Sequence, residues 1–408
     1  MRSDRITGAQ DGSLEREGWN LMKREWYLMV WKKALIVGTA FSAIAASGCN
    51  ASGSEQAQAA AASTAEKSVN LSDINTHWAK DAIVQAVKKG YVDGYEDGTF
   101  KPDANISRAE FTKMLVTATG TNAGSKGAQW YDAYVNAVTD AGIYHSDDDF
   151  PADKFGEPLT RVEMAKLAVR YLNNDARQQG AHLYDASAMY RACGLGIIQG
   201  LSGGELGPDQ PTTRAQSVTI IERVLSVAAG NKLPVDKLAL GNADLELTGS
   251  NTREYLLTPS VKLPLEYDYS DSIHVIVHRV KVVDMEDRND PVAMKILTTD
   301  QGTLKANEAI KTKLVVGLYV TIDNKSAGFE TGLDLYSTVL EIVGTGVAWD
   351  GTSLYGMDTT KVRKITGWIY YTIDKKLNAN FLNGTYPFPL FFTINGKEIY
   401  LTDISKKN

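Results

Sequence analysis

Three stretches of this 408-residue chain repeat one pattern, and they read Ile106-Ser107-Arg108-Ala109-Glu110, Leu159-Thr160-Arg161-Val162-Glu163 and Thr212-Thr213-Arg214-Ala215-Gln216. The arginines lie 53 residues apart both times. A second marker precedes each stretch, because an aromatic residue stands twelve positions before a glycine: Trp78 before Gly90, Trp130 before Gly142 and Tyr184 before Gly196. Two markers that recur in the same register predict three structural repeats.

Each repeat is predicted to form a helix, a loop and a second helix. In the first repeat, apolar residues of helical spacing lead to Gly90, which can adopt the left-handed conformation that ends a helix. A turn-rich loop follows at residues 93–102. A Ser or Thr followed three residues later by Glu or Gln then forms a capping box, which starts the second helix. The predicted N-cap residues are Ser107, Thr160 and Thr213.

The arginine inside each capping box needs a separate explanation. A cation at the first helical position faces the positive end of the helix dipole, which costs about 0.3 to 1 kcal/mol. The recurrence of Arg108, Arg161 and Arg214 therefore suggests an anion that compensates, such as a carboxylate bound by the guanidinium and by free backbone N–H groups. The alternative is that each arginine pairs with an acid of a neighbouring repeat or lies over its aromatic ring. The aromatic markers also allow an ordinary role in the core.

Several motifs of the first repeat together resemble the surface-layer homology (SLH) domain: Leu71-Ser72-Asp73, His77-Trp78-Ala79, Gly90-Tyr91-Val92-Asp93-Gly94, Asp97-Gly98-Thr99-Phe100-Lys101-Pro102 and Ser107-Arg108-Ala109-Glu110. Residues 70–229 resemble a set of three such repeats, at about 70–120, 126–174 and 180–229. The resemblance implies an all-α, pseudo-threefold helical prism. It also implies binding to secondary cell-wall polysaccharide of a Gram-positive-type envelope, through a pyruvate ketal on a terminal sugar.

The same resemblance assigns a ligand-binding role to residues that match the family motifs. In the first repeat arginine would hold the carboxylate, tryptophan would cover the sugar face, and glycine would allow close backbone approach. The residues concerned are Asp73, Trp78, Gly94 and Arg108, then Trp130 and Arg161, then Tyr184, Gly200 and Arg214. The second repeat has no clear counterpart of Asp73 and carries Ser146 where Gly94 is expected, so one or two working grooves are predicted rather than three.

The N-terminal region reads as an export signal. After a polar start, residues 29–48 carry two lysines, an apolar run and small residues before Cys49, which is the layout of a secretory signal. The end of this segment resembles a bacterial lipobox and implies a lipid on Cys49; a plain secretory signal cut before Cys49 is the alternative. Translation is expected to begin at Met29, or at Met22. The predicted boundaries are 1–49 for the extension and signal and 50–69 for a flexible linker.

Residues 235–408 change to two-residue periodicity, which predicts strands. Strands are expected near 260–267, 272–284, 314–322, 335–343, 362–373, 389–394 and 397–402, with Asn395-Gly396 as a hairpin turn. This number of short strands predicts an all-β, immunoglobulin-like sandwich. No catalytic motif or metal-binding set is evident: His274 and His278 lack a third ligand, and Asp147, Asp148 and Asp149 read as solvated surface. Cys193 is predicted to be a buried thiol.

Composition limits the function further. The net charge of −6 disfavours nucleic acid as a partner, and two cysteines exclude a disulfide scaffold. The predicted function is a non-enzymatic, extracellular cell-surface protein without a cofactor. It would be anchored to pyruvylated wall polysaccharide by its repeats, with a lipid anchor in the membrane as a further expectation. The alternative is a wall-anchored carbohydrate-active enzyme whose active site lies in the C-terminal domain.

Overall fold

The structure is a computed structural model that describes residues 71–271, 273–298, 312–325, 364–376, 378–394 and 397–405. The predicted signal segment, Cys49 and the predicted linker lie outside these residues. Among the helices that are described, none has the length and apolar character needed to cross a membrane.

Three pairs of helices follow one another along the first described segment. They are α1 (Lys80–Lys89) and α2 (Arg108–Thr119), α3 (Asp132–Asp140) and α4 (Arg161–Leu172), and α5 (Asp185–Gly194) and α6 (Arg214–Ala228). Each second helix begins with the predicted capping box, at Ser107, Thr160 and Thr213. The glycine after each first helix has a positive φ of 77°, 65° or 69°, at Gly90, Gly142 and Gly196. Only glycine adopts this conformation without strain, which explains its recurrence.

A ring of backbone hydrogen bonds joins the three repeats beside their N-caps. Ile106 N donates to Thr212 O at 3.0 Å, Thr212 N donates to Leu159 O at 2.8 Å, and Leu159 N donates to Ile106 O at 2.9 Å. All three side chains are fully buried. Because the third hydrogen bond returns to the first residue, the repeats close on one another instead of extending as an open array.

The helices pack in the same cyclic order. Each second helix contacts the first helix of the next repeat, so that α2 packs on α3, α4 packs on α5, and α6 returns to α1. At this last contact the Glu222 carboxylate accepts a hydrogen bond from Tyr91 Oη at 2.9 Å and pairs with Lys89 Nζ at 2.5 Å. One continuous apolar core, which includes Ile83, Phe111 and Met164, runs through all three repeats.

Two more helices, α7 (Lys237–Thr248) and α8 (Thr252–Leu256), precede the strands. Helix α7 packs on α5, and its residues Ala239 and Ala243 belong to the core of the repeats. The beginning of the region predicted to be all-β is therefore helical and completes the helical body.

The sheet-containing region follows α8. Strands β1 (Leu265–Ser270), β2 (Ile273–Asp284), β3 (Lys313–Asn324) and β4 (Lys364–Asp374) form an antiparallel sheet in that order, and β5 (Phe391–Ile394) pairs with β6 (Lys397–Tyr400). Short helices α9 (Pro291–Thr298) and α10 (Ala379–Leu382) lie between strands. Ile394 pairs with Lys397, as the predicted two-residue hairpin requires. The strand predicted at 335–343 lies outside the described residues, and closure into a sandwich remains a prediction.

Alternating apolar residues bury one face of the four-stranded sheet. Val275 and Val277 of β2 meet Val320 and Ile322 of β3 in a second core. A helical region followed by antiparallel strands therefore confirms the coarse order of elements predicted from the change in periodicity.

Candidate functional site

Three aromatic side chains stand exposed at equivalent places on the repeats. Trp78, Trp130 and Tyr184 are 65%, 57% and 72% exposed, and each precedes the first helix of its repeat. Large aromatic rings usually bury most of their surface, so three exposed rings at repeat-related positions need an explanation other than packing. The alternative that these residues form the core does not hold in the structure.

A polar side chain lies beside each exposed ring. The ring of His77 is 5.3 Å from that of Trp78, Lys113 Nζ is 5.9 Å from the centre of the Trp130 ring, and His182 stacks on Tyr184 at 6.0 Å. Each site thus combines a flat apolar surface with a hydrogen-bonding group. His77 belongs to the His77-Trp78-Ala79 motif but was given no binding role from the sequence, and Lys113 and His182 belong to none of the motifs quoted above.

The three arginines are buried. Arg108 is 9% exposed and donates from Nε and Nη2 to the Glu163 carboxylate, at 2.9 and 2.7 Å. Its Nη1 donates to Lys154 O and Glu157, and the guanidinium lies over the Phe150 ring. The hydrogen bonds to Glu163 raise the pKa of Arg108, so this side chain is a fixed cation that the protein neutralises itself.

Arg214 and Arg161 make contacts that correspond to those of Arg108, but in the part of the chain that the structure describes only Arg214 has a carboxylate nearby. Arg214 Nε donates to Phe100 O at 3.0 Å, its guanidinium lies over Tyr95 and Phe100, and its Nη1 is 3.7 Å from the Glu110 carboxylate. Arg161 donates to Leu206 O at 2.8 Å and to Gln199 O at 2.9 Å. Among the described residues its hydrogen bonds go to carbonyl oxygens and no ion pair joins Arg161 to a carboxylate, and burial lowers its pKa.

The free N–H groups expected at the helix starts are already used. Arg108 N donates to Glu157 O at 3.0 Å and Ala109 N donates to Phe155 O at 2.9 Å, while Glu110 N donates to the Ser107 hydroxyl. The other two second helices show the same pattern. The premise that an anion binds these N–H groups is therefore wrong, because carbonyls of the adjacent repeat accept them. The alternative holds for Arg108 and Arg214, since each has both an acid and an aromatic ring of a neighbouring repeat as partners.

The structure also regroups the predicted ligand-binding residues. Arg108 contacts the loop of the second repeat, whereas Arg214 contacts the first-repeat loop that contains Gly94. Each candidate groove therefore combines one repeat's loop with the preceding repeat's arginine in cyclic order. The resemblance to the family grouped Arg108 with Gly94, because both belong to the motifs of the first repeat.

Asp73 organises the loop of the first repeat. Its two carboxylate oxygens accept hydrogen bonds from Phe100 N and Lys101 N, both at 2.8 Å. Lys101 has a φ of 55°, and its Nζ lies 4.1 Å from the centre of the Tyr95 ring. Asp73 thus holds a strained turn in place, which shapes the surface beside Gly94.

One predicted surface cluster proves to be internal. The side chains of Asp148 and Asp149 are 10% and 0% exposed, and both pair with the fully buried Arg170 of α4. The prediction of a solvated acidic surface is wrong for these two residues, because a buried guanidinium requires carboxylate partners. Asp147 is exposed as predicted.

Other candidate residues show ordinary contacts. Cys193 on α5 is fully buried, and burial raises its pKa to about 12, as expected for an unreactive thiol. His274 lies 2.8 Å from the Asp268 carboxylate, and His278 hydrogen-bonds to Thr321. Within the described residues no group of three or more His, Cys, Asp or Glu side chains could hold a metal ion.

The family match to known proteins falls within the helical region. The S-layer homology domain family matches residues 70–112 and 180–216. The chain is 27% identical over 298 residues to the surface-layer 125 kDa protein of Lysinibacillus sphaericus, which covers 63% of this chain and 25% of that protein. It is 27% identical over 286 residues to an S-layer protein of Bacillus licheniformis, covering 55% of this chain and 32% of that one.

A further match is an enzyme. The chain is 28% identical over 181 residues to the exoglucanase XynX of Acetivibrio thermocellus, covering 39% of this chain and 16% of the enzyme. The chain thus spans less than a third of the length of the relatives named here.

Proposed function

Because this chain carries S-layer homology domains, we propose that it is an exported envelope protein whose repeats bind secondary cell-wall polysaccharide without a covalent bond. The sheet-containing region is then held at the outer surface of a Gram-positive-type cell. The observation that carries the proposal is the set of three exposed rings, Trp78, Trp130 and Tyr184, at equivalent places on the three repeats.

The geometry suggests how each groove holds a sugar. An exposed ring offers a rigid apolar face that a sugar ring can cover, and the neighbouring side chain binds a hydroxyl or an acidic substituent. Lys113 beside Trp130 is suited to the carboxylate of a pyruvate ketal, because it is a cation close to the ring. Asp73, Gly94 and Gly200 shape the loops, and Arg108, Arg161 and Arg214 hold them in position.

The fold of the family is part of the proposal. The closed ring formed by Ile106, Thr212 and Leu159 supports a pseudo-threefold prism with a groove between successive repeats. We assign the C-terminal strands to a sandwich that binds a ligand or has a structural role. Cys49 is proposed as a lipid attachment site, with residues 50–69 spanning the distance between membrane and wall.

Binding to purified wall polysaccharide tests the proposal. Replacing Trp78 or Trp130 by alanine should weaken binding about tenfold, which corresponds to about 1.4 kcal/mol. Tyr386→Ala is the matched control, because Tyr386 is an equally exposed ring (58%) in the sheet-containing region. Removing pyruvate from the polysaccharide should abolish binding. Unchanged affinity in both tryptophan variants would rule out the rings as the binding surface.

The second candidate is an enzyme held at the wall by its repeats. It is favoured by the match to an exoglucanase, whose name describes that protein only. Incubating the protein with wall glycans and measuring released reducing sugar separates the two functions. Time-dependent release would establish the enzyme.

A further inference from the structure

The loop of the third repeat has the same backbone architecture as that of the first, 106 residues earlier. Leu201 N donates to Glu205 O at 2.8 Å, as Tyr95 N donates to Thr99 O at 2.7 Å. Arg161 holds Leu206 O as Arg214 holds Phe100 O. Gly200 is therefore the structural counterpart of Gly94.

The two glycines differ in what their N–H groups meet. Gly200 N donates to Asp236 Oδ2 at 3.1 Å. Gly94 N has no hydrogen-bond partner among the described residues, and Gly94 is partly exposed. In the third repeat the glycine N–H is thus hydrogen-bonded to a carboxylate of the chain itself, whereas the equivalent N–H of the first repeat stays available.

Helix α7 brings that carboxylate to the loop and covers it. The other oxygen of Asp236, Oδ1, accepts a hydrogen bond from Ala239 N at 3.1 Å and so caps α7. Further along, Asn242 Nδ2 donates to Gly204 O at 2.9 Å, and Leu238 packs where a Cβ on Gly204 would lie, at 2.4 Å. The segment before the helix packs on Gly196 in the same way.

We propose that Asp236 is an internal ligand: it takes the place of an acidic wall-polymer group at Gly200, so that α7 closes the third repeat and leaves polymer binding to the first two. This inference rests on the proposed function, because it concerns how many repeats bind polymer. It assigns Gly94 N as a donor to the bound polymer, and it makes α7 the element that sets the number of sites per chain.

Glycine amide signals measure both halves of the inference. In protein labelled with ¹⁵N-glycine, the Gly200 amide should exchange with solvent at least about tenfold more slowly than the Gly94 amide, because it is hydrogen-bonded to Asp236. Adding short fragments of purified wall polysaccharide should shift the Gly94 signal and leave the Gly200 signal in place.

Asp236→Ser is the decisive variant, since serine still caps α7 but is too short to reach Gly200 as well. In this variant the Gly200 signal should respond to the fragments, and calorimetry should show one additional site per chain. Gly249→Ala is the matched control: Gly249 has a φ of 79° at the other end of α7, so this change loosens the helix without removing the carboxylate. The control should keep the original number of sites.

Each outcome decides one claim. A Gly200 signal that shifts in the unmodified protein, or exchange at Gly200 as fast as at Gly94, overturns the inference. So does an Asp236→Ser variant that gains no site while Gly94 still responds. If no fragment binds to the protein at all, the proposed function fails, and the assignment of Asp236 as a mimic of the polymer fails with it. Slow exchange at Gly200 in that case would show that the Asp236–Gly200 hydrogen bond exists and that polymer binding is the part that is wrong.

Discussion

The first residue of each second helix is an arginine that the protein itself holds, but the three are not held equally. Arg108 faces Glu163 and Arg214 faces Glu110. Both acids are the third helical residue, N3, in the capping box of a neighbouring repeat. The corresponding residue for Arg161 is Gln216, which caps its helix without supplying charge. One buried guanidinium among the described residues therefore relies on carbonyl oxygens alone.

Gln216→Glu should stabilise the protein by about 1 to 3 kcal/mol, because it offers a carboxylate to a guanidinium whose burial cost is already present. The capping box is preserved, since Glu serves as well as Gln. Glu163→Gln is the reverse change at Arg108 and should destabilise by a comparable amount. Urea unfolding measures both; a Gln216→Glu protein no more stable than the parent would refute this view of Arg161.

Thr212 places a hydroxyl in the apolar ring where the other repeats have Ile106 and Leu159. The side chain is fully buried, and its hydroxyl has no hydrogen-bond partner among the described residues. Thr212→Val keeps the shape and removes the buried polar group, so it should raise the free energy of unfolding by about 1 kcal/mol.

The control is Thr112→Val on α2, where the hydroxyl of an equally buried threonine donates to Arg108 O at 2.7 Å. That change should bring no gain, because it removes a satisfied hydrogen bond. Equal effects at the two positions would show that the hydroxyl of Thr212 is not the cause.

At the scale of elements, α4 is joined to the loop before it through Arg170. Both Arg170 and Asp149 are fully buried, and burial raises the pKa of Asp149 although Arg170 opposes this. Asp149→Ala leaves the guanidinium buried without one of its carboxylate partners and should cost about 3 to 5 kcal/mol. Asp147→Ala, two residues away and exposed, should change stability by less than about 0.5 kcal/mol. Thermal unfolding compares the two.

Helices α7 and α8 meet α5 through a partly buried polar cluster. Arg253 Nη1 lies 2.9 Å from Tyr190 Oη and 3.5 Å from the Asp244 carboxylate, and Glu254 accepts a hydrogen bond from the same tyrosine. Burial raises the pKa of Asp244 from 3.8 to about 6, against the opposing effect of Arg253. Asp244 therefore keeps its proton in the folded protein at a pH where the unfolded chain has lost it.

This cluster gives a pH-dependent stability. Between pH 4 and 6 the folded state binds more protons at Asp244 than the unfolded state, so raising the pH lowers the free energy of unfolding by on the order of 2 to 3 kcal/mol in total. The stabilisation that the protonated Asp244 gives to the folded state is complete below about pH 4 and is lost above about pH 6. Asp244→Asn should lack this slope, so the difference in the free energy of unfolding between variant and parent should change by that amount between pH 4 and 6, measured by urea unfolding at several pH values. A pH-independent difference would show that Asp244 does not titrate in this range.

At the scale of the whole molecule, the helical body extends beyond the third repeat. Helix α7 supplies Ala239 and Ala243 to the core of the repeats, and Leu238 covers the loop at Gly204. A chain of residues 71–230 should therefore be less stable than one of residues 71–250, by about 3 kcal/mol for the apolar surface left uncovered. Thermal unfolding of the two versions measures this, and equal midpoints would place the boundary at residue 230 after all.

Local signals were enough to predict the repeats and their ends. Capping boxes at Ser107, Thr160 and Thr213, and the left-handed glycine at Gly90, depend on residues only a few positions apart. Two-residue periodicity likewise predicted β2 and β3, because alternation of apolar residues records which face of a strand is buried. Helix α7 was missed, since its residues read as part of a connection to the strands.

The sequence by itself determined that this protein has three related helical repeats followed by antiparallel strands, because periodicity and capping are properties of neighbouring residues. Tertiary structure alone decided that Arg108 faces Glu163, that Arg214 belongs with Gly94, and that Asp236 reaches Gly200. These contacts join residues 36 to more than 100 positions apart, and closing the ring of repeats selects them. No local pattern records which loop a guanidinium or carboxylate will meet when distant parts of the chain pack together.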